Sequence, residues 1–77
     1  MGETPESLNQ LKEKAEACYS QMYECKSYEL KDYKDDALMY LSQAIEAAKE
    51  LGLDDEVQAL QKKYVHTRAV YNQLNVR

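Results

Sequence analysis

Seventy-seven residues make one domain, close to the lower limit at which a chain can bury a core of its own. Apolar residues are 44% of the chain, which argues against disorder, and two glycines with one proline leave little turn chemistry, which implies long helices on short links. A formal net charge of −4 disfavours nucleic acid as a partner, because neutralising phosphates takes a basic surface.

Thr4-Pro5-Glu6-Ser7 reads as a helix start, with Thr4 as N-cap, Pro5 at the first helical position and an acid in the first turn. Leu8, Leu11, Ala15, Cys18, Met22 and Cys25 then recur at alternating steps of three and four, a heptad seam that ends where Glu29 takes the next place. The first helix is predicted over residues 5–30. Asp32, Asp35 and Asp36 mark the start of a second, since acids suit the unpaired N–H groups of a first turn. Its seam is Ala37, Leu41, Ala44, Ala48 and Leu51, flanked by Leu38, Ile45, Tyr40 and Ala47. So wide an apolar arc suits a helix with two neighbours. Gly52 fits a left-handed residue after the helix, with Leu53 as the accompanying apolar contact, so the second helix spans residues 33–51. Asp54 caps a third over residues 55–74, whose seam is Val57, Leu60, Tyr64, Thr67, Tyr71 and Leu74.

Three seams on short links predict an all-α, up-down-up antiparallel three-helix bundle filling one domain, residues 1–77, with 1–4 and 75–77 frayed. Charge agrees with that topology. Lys62, Lys63, Arg68 and Arg77 follow the last acid, and antiparallel packing brings that basic end beside Glu29, Asp32, Asp35 and Asp36. Internal complement of this kind is one reading of the basic stretch; a site for an acidic partner is the other.

No group of residues points to chemistry. Cys18 and Cys25 stand two helical turns apart, about 10 Å along an axis rising 1.5 Å per residue, too far for a disulfide or, without outside ligands, for one shared metal. Both fall on the seam, where a thiol packs as a small apolar group. His66 has no acid within a helical turn to orient it as a base, Glu16, Glu24 and Glu29 read as solvated helix carboxylates, and two glycines cannot build a phosphate loop. The expectation is no enzyme, no metal and no cofactor. No apolar run approaches the about 18 residues that span a bilayer, and no secretory leader pattern is present. Met1-Gly2 begins a myristoylation pattern, but Glu6 stands where Ser or Thr is needed. A cytoplasmic protein without direct membrane insertion is expected.

Apolar groups off the seams are Tyr19 and Tyr23 on one flank of the first helix, Tyr28 on the other, Met39 on the second helix, and Val65, Ala69 and Val70 on the third. There are seven tyrosines and no Phe or Trp, and tyrosine suits both the margin of a core and an interface. These groups either pack as flanks of their own core or line one groove for an amphipathic helix.

Two helical families share features with this pattern. Ala37, Leu41 and Ala44 match the second helix of a tetratricopeptide repeat, but the stretch before them lacks that repeat's Trp and Gly landmarks. Most of the chain resembles the MIT (microtubule-interacting and trafficking) domain, in its spastin- and spartin-like version with longer helices. Ala15, Ala37, Tyr40, Ala44, Ile45 and Leu60-Gln61-x-Lys63 carry the likeness. The resemblance implies a non-catalytic adaptor in protein transport that binds short tail helices of membrane-remodelling ESCRT-III subunits. In that family the usual groove, between the second and third helices, meets a basic tail with acids on the third helix. Here that helix carries Lys62, Lys63 and Arg68 and no acid after Glu56, which favours the groove between the first and third helices. Tyr19, Tyr23, Val65, Arg68 and Val70 are then the candidate partner contacts, on a chain expected to be a monomer, with a dimer as the alternative. Two further readings are a small helical chaperone or assembly subunit pairing with a larger partner, as in secretion systems, and a self-associating structural or engineered bundle.

Overall fold

A computed structural model of the protein describes residues 6–75. The proposed cap Thr4, the Pro5 start, the fraying of 1–4 and the end of the tail lie outside these residues. Three α-helices, α1 (Glu6–Glu24), α2 (Leu30–Glu50) and α3 (Asp54–Asn75), run up, down and up. The bundle is slender, 44 × 18 × 15 Å. α2 is the middle member: α1 and α3 each pack along it, while α1 and α3 meet mainly through long side chains.

The seams explain why α2 takes that place. Ala37, Ala44 and Ala48 have no exposed surface, Leu41 is buried between them, and an alanine-lined helix lets both neighbours approach. Leu8 and Ala15 from α1 and Leu60 from α3 close on it to form the main core, with Leu38, Tyr40, Ile45, Val57 and Tyr64 at its margin. Full burial of a leucine such as Leu8 stabilises by about 1.5–3 kcal/mol. The one buried polar side chain among the described residues, Thr67, donates its hydroxyl to the Lys63 carbonyl at 2.8 Å and leaves no unpaired group.

The α2–α3 turn matches its sequence signature. Gly52 has φ +71°, Leu53 N–H donates to the Ala48 carbonyl at 2.9 Å and Gly52 N–H to the Lys49 carbonyl at 3.1 Å, the paired bonds of a Schellman end. Leu53 packs on the main core as expected, but Leu51 lies past the last helical turn and is 51% exposed, not part of the seam.

The α1–α2 connection departs most from expectation. α1 ends at Glu24, not near residue 30. Lys26 is extended, Ser27–Glu29 form a 3-10 turn, and α2 begins at Leu30, before the expected 33. The physical reason is Leu30. It is buried beside Met22 and continues the α2 seam backwards through Tyr33 to Ala37, so the reversal must come before it. The acids at 32, 35 and 36 therefore sit inside α2, where Asp35 takes Lys34 at 2.7 Å and Lys31 at 3.3 Å. At the other end, Asn75, expected in the tail, is the last residue of α3.

A second, smaller core forms at this end. Met22, Leu30 and Val70 are buried there, ringed by Tyr19, Cys25, Tyr33, Tyr71 and Leu74. Val70, off the seam and a candidate partner contact, takes the first of its two readings and packs inside. It is 6% exposed, because the fold-back after Glu24 brings Met22 and Leu30 against the α1 side of α3 and Val70 fills the space between them.

Candidate docking surfaces on the third helix

Successive residues of an α-helix turn by about 100°, so the buried Thr67 divides α3 into two flanks. Lys63 and His66 lie on the α1 side, whereas Tyr64 and Tyr71 face α2. Val65, two residues before Thr67 and so about 160° round the helix, points away from the core and is 65% exposed. Arg68, one turn from both Tyr64 and Tyr71, is exposed on the α2 side.

The five candidate contacts are therefore not brought together. Tyr19 and Tyr23 stand at the α1–α3 boundary, Val65 and Arg68 belong to the outer and α2-facing surfaces of α3, and Val70 is inside. Burial takes Val70 out of the patch expected between α1 and α3, and Val65 points outward from that boundary.

Side-chain bridges occupy that boundary instead. Lys12 pairs with Glu56 at 2.8 Å and Lys63 with Glu16 at 2.7 Å, over a floor of Leu41, Ala59 and Leu60. One turn on, the Lys63 ammonium sits 4.6 Å from the Tyr19 ring centre, and the Tyr19 hydroxyl meets His66 Nε2 at 2.9 Å. Tyr23, more than half exposed, holds Tyr19 from the outside, hydroxyl to hydroxyl at 3.0 Å and edge to face at 5.5 Å between ring centres. The Tyr23 hydrogen bond, followed by partial burial and, more weakly, the negative charge of Glu16, pushes the Tyr19 phenol up to about 12.

The furrow between α2 and α3 is not bridged in this way. Ser42, Ile45, Glu46 and Lys49 form its α2 wall and Gln61, Tyr64 and Val65 its α3 wall, around an open volume of about 500 Å³ against about 250 Å³ for the α1–α3 groove. It runs onto the outer face of α3, where Gln58, Lys62, Val65 and Ala69 follow one another at helical spacing.

Cys18 and Cys25 are free thiols and partly buried, and burial, reinforced by the charge of Asp36, pushes the Cys18 thiol up from its ordinary value, which lowers its thiolate fraction. Cys25 Sγ donates weakly to the Met22 carbonyl at 3.7 Å. Among the described residues no three of His, Cys, Asp and Glu are grouped to hold a metal ion, and no helix is long and apolar enough to cross a membrane.

Fold and surface together define a three-helix bundle with a bridged α1–α3 groove and an open α2–α3 furrow. Comparison with protein-family models, curated proteins and solved structures finds no match to the chain.

Proposed function

We propose that this chain is a non-catalytic protein–protein interaction module that takes an amphipathic helix of a partner along the α2–α3 furrow, as an adaptor of the kind its MIT-like pattern implies. The observation that carries the reading is Val65. A β-branched apolar residue stands 65% exposed in the middle of a well-formed helix, and Ile45 and Tyr64 share the furrow with it. Ile45 and Tyr64 are partly packed on the core, so the apolar part of the furrow is continuous with it. A helix with an apolar ridge fills such a furrow at i, i+3 or i+4, and i+7. The occupant is a segment of a cytoplasmic partner bound by a monomer.

Amide NMR shifts on adding a panel of amphipathic tail helices, alongside sedimentation of the free protein, test this. Shifts centred on Ile45, Tyr64 and Val65 in a monomer are the expected result. A panel that leaves those amides unmoved, with a protein that sediments as a dimer, overturns it in favour of self-association.

A further inference from the structure

All 14 acidic residues of this chain lie at or before Glu56, so between Val57 and Asn75 α3 carries Lys62, Lys63 and Arg68 and no acid. The structure divides these three cations. Lys63 is neutralised by Glu16 at 2.7 Å, across the groove to α1. Lys62 and Arg68 form no ion pair with any described residue, and they stand three residues before and three after the exposed Val65. On the opposite wall of the furrow, Glu46 and Lys49 lie 3.7 Å apart and cancel. A protein of net charge −4 thus presents two unopposed positive charges on either side of the exposed Val65.

From this juxtaposition, and resting on the docking reading above, we propose that the partner helix is acidic: an apolar ridge laid over Ile45, Val65 and Ala69, with carboxylates placed to meet Lys62 and Arg68. Both cations sit at the rim, in water, where they steer encounter and select the partner's sign more than they add affinity. The same two residues argue against a second copy of the chain packing α3 on α3. An antiparallel pair centred on Val65 sets Lys62 of one copy against Arg68 of the other, and a parallel pair sets each cation against its own counterpart. Either way like charges meet around the apolar contact, with no acid on that face to relieve them.

The test uses two synthetic amphipathic helices with the same leucine ridge, one flanked by Glu and one by Lys, titrated into the full chain at low and high salt. The expected result is that the Glu helix binds, shifts the Ile45, Val65 and Ala69 amides, and weakens with salt. Lys62→Glu combined with Arg68→Glu should weaken it about tenfold, the size of two exposed charge contacts made repulsive, and should admit the Lys helix, with the circular dichroism of the fold unchanged. If the Lys helix binds the unaltered protein as well as the Glu helix, the acidic partner is overturned while the docking surface stands. If neither binds, the docking reading falls and this inference with it. A dimer in sedimentation that Val65→Asp dissociates makes the occupant a second copy and overturns the proposal.

Discussion

The Tyr19 hydroxyl lies 2.9 Å from Nε2 of His66, 47 residues further along the chain, and 3.0 Å from the Tyr23 hydroxyl. A tyrosine hydroxyl can donate and accept at once, so Tyr19 joins Tyr23 on its own helix to His66 on α3. Because this tie is one of few direct links between α1 and α3, Tyr19→Phe and His66→Ala should not be additive. A double-mutant cycle by urea unfolding should give a coupling of about 0.5–1 kcal/mol, and strict additivity would remove the tie.

High pH should expose the same cluster. The Tyr19 phenol at about 12 lies above its ordinary value of 10.0, chiefly through the Tyr23 hydrogen bond. A folded pKa above the unfolded one means that this contribution to stability is fully present below pH 10 and is lost as pH rises towards 12. In a phenolate absorbance titration the last tyrosine to ionise should vanish in Tyr19→Phe and move to lower pH in Tyr23→Phe. A Tyr23→Phe curve superimposed on that of the unaltered protein would refute the assignment.

Gly52 gives a backbone prediction free of packing. A Cβ added there meets nothing within 4 Å, yet φ is +71°, so any penalty for a side chain is conformational alone. Gly52→Ala should cost about 1 kcal/mol and Gly52→Asn less, because Asn tolerates the left-handed region. Chemical denaturation of the two variants checks the order, and equal stability of Ala and Gly would mean that the turn has relaxed.

How much of this was legible in the sequence differs from element to element. The α1 seam from Leu8 to Met22 and the Gly52 helix end carry strong periodic or conformational signals, and both stand in the structure. The α1–α2 reversal was misplaced because Cys25 continues one seam by spacing while Leu30 opens the next, and no Gly or Pro separates them. The Leu30–Tyr33–Ala37 spacing was the available sign. For the site, exposure of Val65 could be read from its place about 160° round the helix from Thr67, whereas Val70, three residues past Thr67, lies only about 60° from it, at the edge of the seam. What buries that edge is its contact with Met22 and Leu30, a tertiary fact that spacing alone leaves open. The Tyr19–His66 contact joins residues 47 apart on different helices, and no spacing along one helix encodes it.

Ala44 marks the tightest part of the bundle. It has no exposed surface and lies where α2 is packed between its two neighbours. Ala44→Glu would bury a carboxylate without a partner in a core filled by Leu8, Leu41 and Leu60, at a cost of several kcal/mol, comparable to the whole stability of a domain this small. Loss of the cooperative thermal transition is the expected outcome. A variant that melts like the parent would show that α2 is not the central helix.

Val65 and Val70 provide the sharpest control, because they are the same residue on the same helix, five positions apart, one 65% and the other 6% exposed. Val70→Ala removes packing from Met22 and Leu30 and should lower stability by about 2 kcal/mol, through lost burial and the gap left behind. Val65→Ala removes surface already in water and should leave stability within about 0.5 kcal/mol. Helix binding should respond in the opposite sense. Val65→Ala weakens the docked helix without touching the fold, whereas Val70→Ala lowers the melting temperature and leaves affinity intact wherever the protein stays folded. Parallel thermal melts and peptide titrations of the two variants read both columns at once. A Val65→Ala protein that loses stability while a Val70→Ala protein does not would invert the assignment of inside and outside on α3, and with it the placement of the docking face.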